Sequence, residues 1–162
     1  MVLLYCLIMK KFLSYLLFVL LAFSVGYLSS VVQETAMLEW YPYIAKSTFT
    51  PPGIVFAIAW AVLYLLMAVS AAMVWNTHSI YTWLSILLFF LQLVLNFAWS
   101  VTFFYMRSPA VGLVVLTALI IVVAIYAASA YMLHRAAGLL NLPYLLWLFF
   151  ALYLNAYVVL NN

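Results

Sequence analysis

Amides and indoles inside long apolar segments are the residues of this chain whose types and spacing could do chemistry. Gln92, Asn96 and Trp99 fall on one helical stripe, and Trp60 and Trp147 lie on similar stripes in two other apolar segments. An amide in hydrocarbon needs a polar partner, so these side chains should face protein or a cavity rather than lipid. The stripes therefore predict either a packed aromatic core or a binding pocket.

Depth makes a pocket geometrically possible, because the stripes converge, although aromatic stripes at helical spacing usually form packed core. At about 1.5 Å per residue, five of these positions lie roughly 9–14 Å below one membrane face, namely Trp60, Asn96, Trp99, Ala151 and Leu154. Trp147 lies one turn deeper. Asn96 has two alternative uses, a hydrogen bond to a neighbouring helix or contact with a ligand. Its place on the Trp99 stripe favours the ligand.

The composition requires a membrane to position these residues. Of 162 residues, 73% are hydrophobic and only 4% charged, so the chain cannot build a water-facing surface. Apolar runs predict a single domain over 1–162, an all-α integral membrane protein with a bundle of five transmembrane helices. The predicted spans are about 12–30, 52–74, 81–105, 110–133 and 139–160. Residues 31–51 form the one long polar stretch and are predicted to be a loop that covers the pocket as a lid.

Charges and cysteine exclude several classes of function. Five Lys or Arg residues offer no basic patch for nucleic acid, and every charged side chain falls at an interface or in a loop, which argues against coupled transport. Cys6 is the only cysteine, so neither a disulfide within the chain nor a cysteine-ligated metal cluster is expected. No cofactor is expected. A start at Met9 and a cleaved signal peptide are alternatives for the first residues.

Five motifs in order carry a family resemblance. They are Trp40-Tyr41, Thr50-Pro51-Pro52-Gly53, the segment QLVLNFAWS at 92–100, Arg107-Ser108-Pro109-Ala110, and the segment AGLLNLPYLLW at 137–147. Together they resemble the translocator protein family, also called the tryptophan-rich sensory protein or peripheral benzodiazepine receptor family, over residues 10–162. The chain departs from the family pattern at Ser47, where proline is usual, and at Val115, where aspartate is common.

The resemblance implies a dimeric five-helix bundle whose first loop lids a cavity for porphyrins, haem-like tetrapyrroles, sterols and synthetic ligands. Such a protein acts as a sensor, regulator or translocator of its ligand. The pocket positions it implies are Tyr41, Pro51, Trp60, Asn96, Trp99, Trp147, Ala151 and Leu154. Trp60 and Trp147 also match tryptophans that some bacterial relatives are thought to use in light-dependent porphyrin breakdown, so an enzyme is one alternative. A passive transporter is another.

Lys46 and Arg107 are the two cations on the side of the predicted lid. Because porphyrin propionates are anionic, we expect one of these cations to lie near a propionate. Ala124 and Ala128 offer a small-residue contact for the expected homodimer. A bacterial or archaeal cell membrane fits better than the mitochondrial outer membrane.

Overall fold

The computed structural model describes residues 2–77 and 79–162, with the side chains of residue 5 and of residues 8–77 and 79–162. Within these residues the chain forms helices and turns and no strand. The helices are α1 (Val2–Glu39), α2 (Gly53–Trp75), α3 (Thr82–Ser100), α4 (Pro109–Leu133), the short α5 (Arg135–Leu139) and α6 (Leu142–Asn161). In the described part of the chain, five helical segments are long and apolar enough to cross a membrane, α5 and α6 together forming the fifth. The predicted all-α membrane bundle is confirmed.

The second, third and fourth spans differ from the predicted bounds by one residue or none at each end. The fifth begins earlier than the predicted residue 139, because α5 precedes α6. Asn141 lies at this junction, where its backbone N–H donates to the Gly138 carbonyl and its own carbonyl accepts from Leu145 N–H. The Asn141 side chain also donates from Nδ2 to the Ala137 carbonyl over 2.8 Å, which satisfies a buried backbone carbonyl where the helix is interrupted.

The first helix is longer than the sequence indicated. Residues 31–39 were predicted to belong to the loop, but α1 continues to Glu39, so the connection to α2 contains only residues 40–52. Polar side chains do not break a helix, and the first proline after α1 is Pro42. Ala36 of this added segment is 4% exposed and packs with Phe103, Phe104 and Val158. That burial stabilises the extension.

The end of α3 widens into a π-helical turn, Val101–Tyr105. The Met106 N–H donates to the Val101 carbonyl five residues earlier, over 2.9 Å. An added residue in the turn lets both Phe103 and Phe104 face the interior, where they are 4% and 7% exposed. Arg107 then reverses the chain with a φ of 50°, in the left-handed region.

Close contacts hold the helices together in the middle of the bundle and in the half that lies away from the 40–52 loop. Gly26 of α1 lies so near Tyr64 of α2 that a Cβ atom there would be 2.7 Å from the tyrosine ring. In the half away from the loop, Ser70 Oγ bonds with Tyr126 Oη over 3.0 Å and accepts from Asn141 Nδ2 over 2.9 Å. These bonds join α2, α4 and the α5–α6 junction.

Candidate ligand-binding site

The 40–52 loop is held in shape by one lysine. It opens with a 3₁₀ turn, Tyr41–Tyr43, whose proline fixes the chain direction. Lys46 Nζ donates to the carbonyls of Tyr41, Pro42 and Ile44 over 2.6, 3.2 and 3.3 Å. The same ammonium lies 4.9 Å from the centroid of the Tyr41 ring. The charge of Lys46 therefore closes the loop on itself.

Two contacts tie this loop to α6. Ser47 Oγ and Tyr153 Oη are hydrogen-bonded over 2.9 Å, and Ala45 bonds to the side chain of Asn162. At position 47 the family that this sequence resembles usually has proline, and this chain has serine. Its hydroxyl also accepts from Phe49 N–H, so the substitution supplies a tether that proline has no atom to make.

Two adjoining cavities lie beneath the loop. The larger, of about 210 Å³, is bordered by α1 and α2, and the smaller, of about 50 Å³, by the end of α3 and by α6. Four aromatic residues line both cavities, namely Tyr41, Phe56, Trp99 and Phe104. The two volumes therefore share aromatic walls and adjoin each other.

Trp99 is the most firmly oriented of the shared residues. Its ring stacks on Phe103 with centroids 5.4 Å apart and planes 28° apart. Its Nε1 donates to Asn155 Oδ1 over 3.1 Å, and Asn155 Nδ2 donates in turn to the Pro109 carbonyl over 2.8 Å. The indole is therefore fixed between α3, α4 and α6, with its polar atom turned away from the apolar walls.

Tyr41 supplies a hydroxyl at the loop end of the site. It packs against Phe104 with ring centroids 5.7 Å apart. Burial raises the pKa of the Tyr41 hydroxyl above its usual 10.0, because the phenolate would lose its hydration. At neutral pH the group is therefore an uncharged donor.

Most of the residues proposed from the sequence come together here. Those that line one or both cavities are Tyr41, Pro51, Trp60, Trp99, Ala151, Leu154 and Lys46. Their convergence follows from the shared depth of the stripes on α2, α3 and α6.

Asn96 and Trp147 are outside both cavities. Asn96 is 2% exposed; its Oδ1 accepts from Tyr64 Oη over 3.0 Å and its Nδ2 donates to Tyr144 Oη over 2.8 Å. This geometry supports the first of the two alternatives for Asn96, a hydrogen bond between helices. It does not support contact with a ligand, which the place of Asn96 on the Trp99 stripe favoured. Trp147 packs edge-on against Phe56, with centroids 5.5 Å apart, and so lies behind the cavity wall.

Arg107 is also outside the cavities, unlike Lys46. Its Nη2 lies 3.0 Å from Glu39 Oε2 in an ion pair whose side chains are 44% and 63% exposed. An ion pair this exposed contributes little to stability. Among the described residues, no three His, Cys, Asp or Glu side chains are grouped so as to hold a metal ion.

Several lining residues were missed from the sequence, among them Gln33, Met37 and Phe104. Gln33 and Met37 lie on the part of α1 that was predicted to be loop, and Phe104 enters the wall through the π-helical turn. The unbroken run before Pro42, free of glycine and proline from residue 31 on, was the available signal for the first two. The position of Phe104 could not be predicted in this way, because a regular helical period does not indicate where a π-helical turn occurs.

The fold and its cavity define a class, a multi-pass α-helical membrane protein with an apolar site at one end of its bundle. Residues 18–160 match the sequence model of the TspO/MBR family, and the chain belongs to that family. Tryptophan-rich protein TspO of Archaeoglobus fulgidus is 36% identical over 144 residues, which are 89% of this chain and 94% of that protein.

Two further relatives carry names that describe a role. Translocator protein of Sus scrofa is 34% identical over 140 residues, or 85% of this chain and 83% of that protein. Tryptophan-rich sensory protein of Cereibacter sphaeroides is 33% identical over 109 residues, or 67% of this chain and 68% of that protein. The family thus spans archaeal, bacterial and mammalian membrane proteins.

Proposed function

We propose that this protein binds a tetrapyrrole such as protoporphyrin IX in the two cavities beneath the 40–52 loop. The observation that carries the proposal is the set of four aromatic side chains, Tyr41, Phe56, Trp99 and Phe104, that lines both cavities. Aromatic faces stack on a flat conjugated ring, and their apolar area supplies affinity. The names of the relatives, sensory protein and translocator protein, support a role as sensor, regulator or translocator of that ligand.

The loop acts as a lid in this proposal, because the closed cavities are small. Their volumes of about 210 and 50 Å³ fall below the roughly 300–1,000 Å³ of pockets that bury drug-sized ligands. A tetrapyrrole enters only if the loop moves away from α6. The tethers at Ser47–Tyr153 and Ala45–Asn162 then break, and the movement of the loop brings the buried Ser47 hydroxyl into contact with water.

A titration of the purified protein with protoporphyrin IX tests the site through the porphyrin absorption band. Trp60→Leu removes an aromatic wall of the larger cavity, and we expect about tenfold weaker binding, because one stacking contact is lost. Trp83→Leu is the matched control, since Trp83 is 64% exposed at the other end of the bundle. Equal loss of affinity in the two variants would contradict the proposed site.

Light-dependent porphyrin breakdown is the second candidate, favoured by Trp60 in the cavity wall. Trp147 lies behind Phe56, so we expect it to contribute less. Illuminated samples of Trp60→Phe and Trp147→Phe, followed by porphyrin absorbance against dark controls, separate the two tryptophans. Loss of porphyrin at an equal rate in the parent protein, in both variants and in protein-free micelles would reject the enzyme.

We also propose a homodimer in the membrane. Ala124 and Ala128 are both exposed on the outer face of α4, one turn apart, which gives a second copy a smooth surface for close approach. Cross-linking in native membranes should yield a dimer that Ala128→Trp weakens. Monomer alone would overturn the proposal.

A further inference from the structure

We propose that a groove at the end of the bundle opposite the 40–52 loop binds an anionic phospholipid. The groove lies between the early part of α1 and the last turn of α2 and has a volume of about 530 Å³. Lys10 and Lys11 stand at its rim, and Leu13, Leu17 and Trp75 form its apolar wall. It is separate from the proposed tetrapyrrole site, and it requires nothing of that site.

Charge at this end of the molecule is of one sign. Lys10, Lys11 and Arg135 lie here, while both acidic residues, Glu34 and Glu39, lie toward the loop end of α1. In the part of the chain that the structure describes, the ion pair found is the one between Arg107 and Glu39, at the far end. The two ammonium groups of the groove therefore face no carboxylate of their own chain.

The floor of the groove is already satisfied by protein bonds. Asn76 Nδ2 donates to Ser14 Oγ over 2.8 Å and to the Ala72 carbonyl over 2.7 Å. Ser14 Oγ donates to the Lys11 carbonyl over 2.7 Å. With these donors engaged, an anion in the groove is held by the lysine ammonium groups, which attract phosphate as point charges.

Below the lysines the groove becomes apolar. Leu13 and Leu17 follow Lys10 on the same helix face, reaching about 10 Å further into the membrane, and are 58% and 55% exposed. Trp75 is 44% exposed and packs against Phe18 with ring centroids 6.3 Å apart. Tryptophan at this depth is typical of the headgroup region.

Cations above hydrocarbon match an amphipathic anion. Lysines near a membrane surface attract anionic lipids, and basic pockets between transmembrane helices bind lipid headgroups. A phospholipid would place its phosphate between Lys10 and Lys11 and one acyl chain along Leu13 and Leu17. A free phosphate ion would make only the contacts with the two lysines, because it has no acyl chain to pack along the leucines.

Brominated lipids test the proposal, because bromine quenches tryptophan only at short range. The full-length protein is placed in neutral detergent micelles with either dibrominated phosphatidylglycerol or dibrominated phosphatidylcholine. We expect stronger quenching by the glycerol lipid, with the difference lost in Trp75→Phe and kept in Trp83→Phe. Trp83 is exposed at the same end but outside the groove, so it reports ordinary lipid contact.

Charge variants locate the headgroup. Lys10→Gln and Lys11→Gln should each weaken phosphatidylglycerol binding about fivefold, and Lys10→Arg should keep it. Arg135→Gln is the matched control, since it removes one positive charge from the same end but does not line the groove. An equal effect of Arg135→Gln would show diffuse surface attraction and overturn the site.

Competition separates the two sources of phosphate. Inorganic phosphate at the same concentration should leave the quenching unchanged, because it lacks the acyl chain that packs along Leu13 and Leu17. Displacement of the lipid by inorganic phosphate would reject the phospholipid as the occupant. Quenching equal for both brominated lipids would reject an anionic site altogether.

Discussion

Asn162 and Ala45 bond to each other in both directions. The Ala45 backbone N–H donates to Asn162 Oδ1 over 2.9 Å, and Asn162 Nδ2 donates back to the Ala45 carbonyl over 3.2 Å. The same amide nitrogen also donates to the Val158 carbonyl, over 2.9 Å, which fixes the side chain on α6. One amide thus pairs with the middle of the 40–52 loop much as a neighbouring strand would.

Asn162→Ala should loosen the loop without unfolding the bundle. We expect porphyrin association and dissociation both to become faster, with a change in the free energy of unfolding below about 1 kcal/mol, because the bonds are exposed. Stopped-flow mixing with protoporphyrin IX measures both rates. Asn161→Ala is the control, since the bond that the Asn161 side chain makes within the described part of the chain is to the Tyr157 carbonyl of its own helix. Unchanged rates in Asn162→Ala would show that this tether does not limit entry.

Of the two cations, we propose Lys46 as the partner of a propionate, because it lines the smaller cavity while Arg107 does not. Its ammonium would then exchange at least one of its three loop carbonyls for the propionate. Lys46→Gln should weaken binding of protoporphyrin IX and lower its salt dependence. The dimethyl ester of protoporphyrin, which carries no propionate charge, should bind the variant and the parent protein alike if the loop keeps its shape. Arg107→Gln should change neither ligand. Equal weakening of acid and ester by Lys46→Gln would assign Lys46 to the loop alone.

Sequence reasoning predicted which apolar residues converge at the cavities better than it predicted the polar contacts around them. Helical period and depth brought Trp60, Trp99 and Ala151 to one place, because straight helices of similar length preserve both. The partners of Asn96 depend on how Tyr64 and Tyr144 reach across from two other helices, which no single-helix pattern contains. Tertiary packing also decided the extension of α1 and the π-helical turn.

Replacement of Gln92 by an apolar residue of similar shape is expected to stabilise the protein. Gln92 is fully buried on α3, and neither Oε1 nor Nε2 has a hydrogen-bond partner among the residues that the structure describes. A buried amide without partners costs free energy that an apolar side chain of similar shape avoids. We expect Gln92→Met to raise the melting temperature in detergent, while Gln92→Ala lowers it by opening a cavity. A lower melting temperature for Gln92→Met would show that the amide is bonded in the membrane.

Asn96 separates a structural from a binding role more sharply than any other residue. It holds α2 and α6 to α3 through the hydroxyls of Tyr64 and Tyr144, and it lies outside both cavities. Asn96→Leu should therefore lower the free energy of unfolding by about 0.5–2 kcal/mol, as expected for bonds between helices in a membrane.

Ligand binding should respond differently to the same variant. Because Trp60 and Trp99 keep their places in the cavity walls, we expect porphyrin affinity to stay within about twofold of the parent value. Tyr64→Phe and Tyr144→Phe each remove one of the two bonds, so each should show a part of the stability loss. Thermal unfolding and porphyrin titration on the three variants provide the measurement. Unchanged stability with a large loss of affinity would return Asn96 to the binding site, and would mean that its amide turns toward the ligand when the loop opens.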